Sequence, residues 1–203
     1  MNKQQRDASS NLVEAVHRLA TRRFWLPITM AFVMFASVFF GSSAPFSVGN
    51  VEIQCGETAP DVRFAPSATE VESFLETCGK QGRTAYRNMQ RADLLYPLSL
   101  GLFLTSSLTA VLRRLFAHRR AVAAFAAIGL LGTLFDYLEN IFAWRALSVY
   151  PSAAATTPLF GAASAAKTAT FWLTGLTLLF AVIAAGAQVM TQKIRERRDG
   201  RTT

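Results

Sequence analysis

Residues 121–144 read AVAAFAAIGLLGTLFDYLENIFAW, and the build of this stretch decides the fold. From Ala121 to Phe135 there is no charge; then Asp136, Glu139 and Asn140 arrive, and with Thr133 they share one helical face. About 20 mainly apolar helical residues span a bilayer, so the stretch is long enough to cross one and to carry its acids inside. Three more blocks lack charge: between Arg23 and Glu52, between Asp93 and Arg113, and between Lys167 and Lys193. The whole chain of 203 residues is 51% hydrophobic and 17% charged, against about 25% charged in an ordinary soluble domain. These blocks predict an all-α fold, a four-transmembrane-helix bundle running up-down-up-down.

The formal net charge is +8, which in a soluble protein would suggest nucleic acid. Its placement excludes that partner. Fourteen of the 21 Lys and Arg lie in three stretches: Lys3 to Arg23 before the first block, Arg113 to Arg120 between the second and third, and Lys193 to Arg201 after the fourth. The other two connections hold nine of the 13 acids. By the positive-inside rule this asymmetry predicts a multi-pass membrane protein with both termini cytoplasmic. The first block has the basic flank of a signal peptide and a Ser42-Ser43-Ala44 end, but Pro45 would disfavour cleavage there and the run from Phe24 to Phe40 is long. It is expected to remain as the first span.

The expected organisation is a cytoplasmic segment over residues 1–23, a membrane domain over 24–192 with spans of about 24–41, 92–112, 121–143 and 159–190, and a basic tail over 193–203. Asn11 can cap a short interfacial helix carrying Leu12, Val13, Val16 and Leu19 on one face. Residues 42–91 are too polar to span and too long for a turn, so they form an outer lobe. Within it Ser67 and Glu70 spell a capping box, Val71, Phe74, Leu75 and Cys78 recur at helical spacing, and Gly79 suits the stop. Cys55 lies in the same outer segment, so a Cys55–Cys78 disulfide is expected to staple the lobe. From Gln81 the helix is expected to continue unbroken into the second span.

Charges in a bilayer are costly, which directs attention to the polar groups on three spans. On the second, Arg83, Tyr86, Gln90, Asp93 and Pro97 fall on one stripe, with Tyr96 beside it. On the fourth, Lys167, Thr170, Thr174 and Thr177 share a face. At 1.5 Å per residue Asp136 lies about 22 Å above Ala121 and Asp93 about 28 Å above Leu112 in a core about 30 Å thick, so the stripes meet in its outer third. Pro97 cannot bond the Asp93 carbonyl, which leaves an extra acceptor beside that carboxylate.

Three readings fit. The cluster can be a salt-bridged plug that fixes helix register, with Lys167, Arg83 or Arg87 neutralising the acids. It can bind a polar headgroup or small amphiphile through Arg83, Tyr86, Asp93, Tyr96, Asp136, Glu139, Asn140 and Lys167. It can also be an intramembrane acid-base enzyme of isomerase or hydrolase type with Asp93, Asp136 or Glu139 catalytic. Both histidines, His17 and His118, lie at the opposite side, so histidine-based zinc and Ser-His-Asp chemistry are not expected; nor is a cofactor. A hard cation on Asp93, Asp136, Glu139 and Asn140 is a minor alternative to no metal. Membrane lipids are the expected partners, with a second copy or another membrane protein as further possibilities.

The set Asp61-Val62-Arg63-Phe64, Gly82-Arg83-x-x-Tyr86, Asp93-x-x-Tyr96-Pro97, Asp136-x-x-Glu139-Asn140 and Lys167 resembles a family of uncharacterised bacterial four-helix integral membrane proteins. That resemblance covers about Asp61 to Thr177 and implies that Arg83, Tyr86, Asp93, Tyr96, Pro97, Asp136, Glu139, Asn140 and Lys167 form one unit. It supplies no substrate, and the cysteine pair is outside its pattern. Claudin-like proteins share only the layout, and sterol isomerases of the emopamil-binding type share only intramembrane carboxylates.

Overall fold

A computed structural model describes residues 3–151 and 158–199. Four helices are long and apolar enough to cross a membrane, Arg22–Gly41, Gly79–Leu115, Arg119–Val149 and Pro158–Arg197, and they form the up-down-up-down bundle. In detail the elements are α1 (Lys3–Leu19), α2 (Arg22–Gly41), α3 (Val48–Cys55), a 3-10 turn (Pro60–Val62), α4 (Ala68–Thr77), α5 (Gly79–Ala92), α6 (Tyr96–Leu115), α7 (Arg119–Ala126), α8 (Ile128–Val149) and α9 (Pro158–Asp199).

Several boundaries depart from the sequence reading. Helix α1 starts at Lys3, so Asn11 is interior and caps nothing. Val16 is buried and Val13 half-buried against Leu108, Leu112 and Val122, and His17 Nε2 sits 3.1 Å from the Arg119 carbonyl. That docking under α6 and α7 supplies the packing that carries a helix through its polar first half. The second span is not continuous: α5 stops at Ala92 and α6 begins at Tyr96. The third divides at Ala127. The fourth continues through the basic residues to Asp199, because Lys and Arg are good helix formers and favour a helix C-terminus. Of the connection expected around Ser148 to Pro158, residues 152–157 lie outside the described residues.

The outer lobe closes over one end of the bundle. The Ser67–Glu70 capping box is present, with the Ser67 hydroxyl accepting from the Glu70 N–H at 3.2 Å. Bonds from Ser67 hold the Glu70 carboxyl below its usual range. Gly79, at φ 58°, takes the left-handed conformation that stops α4 and redirects the chain into α5. Helix α3 was not legible as such, although Ser47 caps it by accepting from the Asn50 N–H at 3.1 Å and Val48, Val51 and Cys55 form its buried face. A disulfide joins Cys55 to Cys78. The lobe's core of Val51, Val71, Phe74 and Leu75 continues into Phe39 of α2 and Ala143 of α8.

Below the lobe, α6 and α8 cross at very short range. A Cβ on Gly129 would lie 2.9 Å from Thr105 Oγ1, and one on Gly101 would lie 3.2 Å from the Gly129 carbonyl. Small residues at this crossing let two backbones touch where lipid supplies no hydrophobic drive. Trp25 of α2 donates its indole N–H to Ser107 at 2.9 Å, and α9 packs on α6 and α8.

Candidate functional site

The site begins at the break between α5 and α6. Pro97 stands in the first turn of α6, where a missing N–H costs little, and it denies the Asp93 carbonyl its helical partner. Helix α8 takes up the carbonyls left at the break. Asn140 donates to the Asp93 carbonyl at 3.2 Å, Tyr137 to that of Leu94 at 2.8 Å and Thr133 to that of Pro97 at 2.8 Å. Residues 133, 137 and 140 share one helical side, so a single stripe on α8 reads the whole break. The turn points the Asp93 side chain inward, where the residue is 6% exposed and its carboxylate makes no hydrogen bond among the described residues.

Lys167 of α9 brings the remaining acids together. Its ammonium donates to Glu139 and to the Asp61 carbonyl, the latter at 2.6 Å, and lies 3.9 Å from Asp136 Oδ1. Glu139 is wholly buried. Asp61 was not among the expected site residues, although it stood in the motif quoted from the outer segment. The 3-10 turn lays it against α9, helped by the Ser164 hydroxyl donating to the Arg63 carbonyl at 2.9 Å. Its Oδ2 accepts from Gln90 Nε2 at 2.5 Å, and the buried Tyr86 hydroxyl lies beside it outside direct hydrogen-bond geometry. Burial pushes the Asp61 carboxyl above its usual range, opposed by the nearby Lys167 charge. The sequence signal that could have found it is its place in the Asp61-Val62-Arg63-Phe64 motif, directly after Pro60.

Arg83 is not brought to this cluster, and neither is Arg87. Arg83 donates to the Leu75 carbonyl at 2.7 Å and lies with its guanidinium carbon 4.3 Å from the Tyr150 ring centre, while Arg87 reaches the Leu147 carbonyl at 3.5 Å. The reason is rise: ten residues separate Arg83 from Asp93, about 15 Å along a helix. The expectation that these arginines neutralise the acids is therefore corrected, and Lys167 alone is paired with them among the described residues. The same residues do not gather a metal site: no group of three or more His, Cys, Asp or Glu among the described residues could hold a metal ion.

Beside the cluster is a cavity of about 240 Å³ whose lining combines the charged Asp61, Asp93, Asp136 and Lys167 with the aromatic Phe39, Phe40, Tyr96, Phe171 and Trp172. Tyr96 stacks on Phe39 at 5.4 Å and meets Phe40 edge-on at 5.1 Å, which fixes this aromatic wall. Phe40 of α2 and Trp172 of α9 are 46% and 67% exposed, so the cavity's rim lies on the apolar flank of the bundle rather than in its centre. Glu139, Asn140 and Tyr86 stand behind the lining, as supports for it. Larger hollows, two of about 650 Å³ and one of about 500 Å³, lie toward the far end of α6, and none of them contains any of these carboxylates.

The chemical character of the site follows from its imbalance. Four carboxylates meet one lysine, and Asp61 Oδ1, Asp136 Oδ1 and Glu139 Oε1 are buried without a hydrogen bond. Buried acceptors in such number call for protons, donors or positive charge from elsewhere. No family model, curated protein or solved structure matches the chain.

Proposed function

We propose that this multi-pass membrane protein holds the headgroup of a lipid or other amphiphile in the cavity beside Asp93, with its chain lying against the exposed faces of α2 and α9. The observation that carries this reading is the Asp93 carboxylate, 6% exposed, without a hydrogen bond among the described residues and lining a cavity whose rim is aromatic. A plug that only fixes register would close on its own charges. Here Glu139, the acid paired with Lys167, lies behind the lining, while Asp93, with no ion pair among the described residues, lines the hollow. The proposed setting is a bacterial inner membrane, on the strength of the resemblance, with both termini cytoplasmic, which rests on the distribution of Lys and Arg and puts the cavity in the outer leaflet.

A second reading, an acid-base enzyme acting on a lipid, is favoured by one feature. Asp93 and Lys167 line the same hollow, so an acceptor and a donor could face one substrate. Mass spectrometry of the protein extracted in mild detergent tests both. A retained amphiphile that Asp93→Asn releases supports binding, and chemical change of an added lipid supports the enzyme. A variant with Asp136, Asn140 and Lys167 replaced together by apolar residues of similar volume that folds and keeps its amphiphile would refute the pocket.

A further inference from the structure

We infer that the head accepted by this cavity is a positively charged nitrogen, an alkylammonium, rather than a phosphate, a sugar or a neutral hydroxyl. The inference rests on the amphiphile reading and specifies its ligand.

Charge is the first argument. The cavity lining contains Asp61, Asp93 and Asp136 against Lys167, and that lysine is already committed to Glu139, Asp136 and the Asp61 carbonyl. Arg83 and Arg87 are held elsewhere by backbone carbonyls. An anionic head would therefore add charge of the wrong sign to a desolvated acidic wall, whereas an ammonium would meet Asp93 directly.

Hydrogen bonding points the same way. Among the described residues, the cavity's carboxylates leave acceptors without hydrogen bonds: Asp61 Oδ1, Asp136 Oδ1 and the Asp93 carboxylate. An N–H donor head satisfies them, and a phosphate, which offers further acceptors, cannot. The aromatic lining adds an independent contribution. Tyr96, Phe39, Phe40 and Trp172 line the same cavity as the acids, and a desolvated cation gains from contact with such ring faces.

Size limits what enters. At about 240 Å³ the cavity is smaller than the roughly 300–1,000 Å³ that encloses a drug-sized molecule, so it admits a head and leaves the tail in the bilayer. The apolar rim of Phe40 and Trp172 is where such a tail would emerge.

The test uses the full-length protein in lipid nanodiscs and three probes with one chain length, hexadecylammonium, hexadecanol and hexadecyl phosphate, with retention read by native mass spectrometry. The expected result is that hexadecylammonium is retained about tenfold or more over the alcohol and further still over the phosphate, a ratio within reach of one desolvated cation contact. Asp93→Asn should remove that preference by lowering hexadecylammonium retention to the level of the alcohol or below it. If that variant does not fold, the comparison of the three heads on the unaltered protein decides. Equal retention of ammonium and alcohol would overturn the charge inference and leave the amphiphile reading standing. Preference for the phosphate would overturn it as well. Failure to retain any of the three would refute the amphiphile reading itself, and the inference with it.

Discussion

Replacing Lys167 by Met removes one ammonium and nearly nothing else, so the loss can be worked from its contacts. The ammonium serves Glu139, which is wholly buried, lies 3.9 Å from Asp136, and donates to the Asp61 carbonyl at 2.6 Å. Removing one partner of a buried ion pair typically costs about 3–5 kcal/mol, because the other charge is left uncompensated. Neutral hydrogen bonds between membrane helices average about 0.6 kcal/mol and reach about 1.7. Lys167→Met should therefore be several times more damaging than Asn140→Leu, which removes only the 3.2 Å bond to the Asp93 carbonyl. Unfolding free energies from reversible SDS titration, followed by tryptophan fluorescence, give both values. The paired variant Lys167→Met with Glu139→Gln should recover about half or more of the loss, since it deletes the stranded charge as well. A Lys167→Met variant no less stable than Asn140→Leu, or a paired variant as costly as its two single changes summed, would refute this account of the cluster.

Retention of hexadecylammonium should fall as pH is lowered, because protons compete for the carboxylates of Asp61, Asp93 and Asp136 that line the cavity beside Lys167, and of Glu139 behind them. The fall should begin above the range where ordinary carboxylates titrate, since burial holds the Asp61 carboxyl up; a midpoint near pH 4 would refute this. For the protein without ligand the sign is opposite. A raised native pKa means that the folded state binds the extra proton, so the Asp61 contribution to stability declines as pH rises from its unfolded value through its folded one, and Asp61→Asn should flatten that slope. Pro97→Ala should change stability by less than about 1 kcal/mol because the proline occupies a first helical turn, yet lower ammonium retention by letting α5 and α6 merge and withdrawing Asp93; unchanged retention would show that the break does not matter. Reducing Cys55–Cys78 opens a loop with a sequence separation of 23 and should cost the lobe about 3 kcal/mol, read as earlier proteolysis between Val48 and Gly79. Cysteine labelling of the turn between Arg113 and Arg120 should occur only from the cytoplasmic side, and external labelling there would invert the proposed orientation.

The spans were legible from sequence because a bilayer imposes one crude requirement, a long uncharged helix, that local composition satisfies or fails by itself. Ser67 with Glu70, Gly79 and the Cys55–Cys78 pair were legible for a similar reason, since capping is local and the two thiols share one segment. Pro97 announced a free carbonyl at Asp93, and Asn140 on another span answers it. What composition could not supply was partnership across the bundle. Arg83 and Asp93 lie on one sequence stripe, yet about 15 Å of helical rise along α5 takes one to Tyr150 and the other to the cavity. Asp61 looked like an acid in a polar segment and becomes part of the cluster only because the 3-10 turn is pressed onto α9, where Gln90 and Lys167 reach it. Periodicity records which way a side chain faces on its own helix; which charges meet depends on where helices stop and what packs over their ends, and only the tertiary structure decides that.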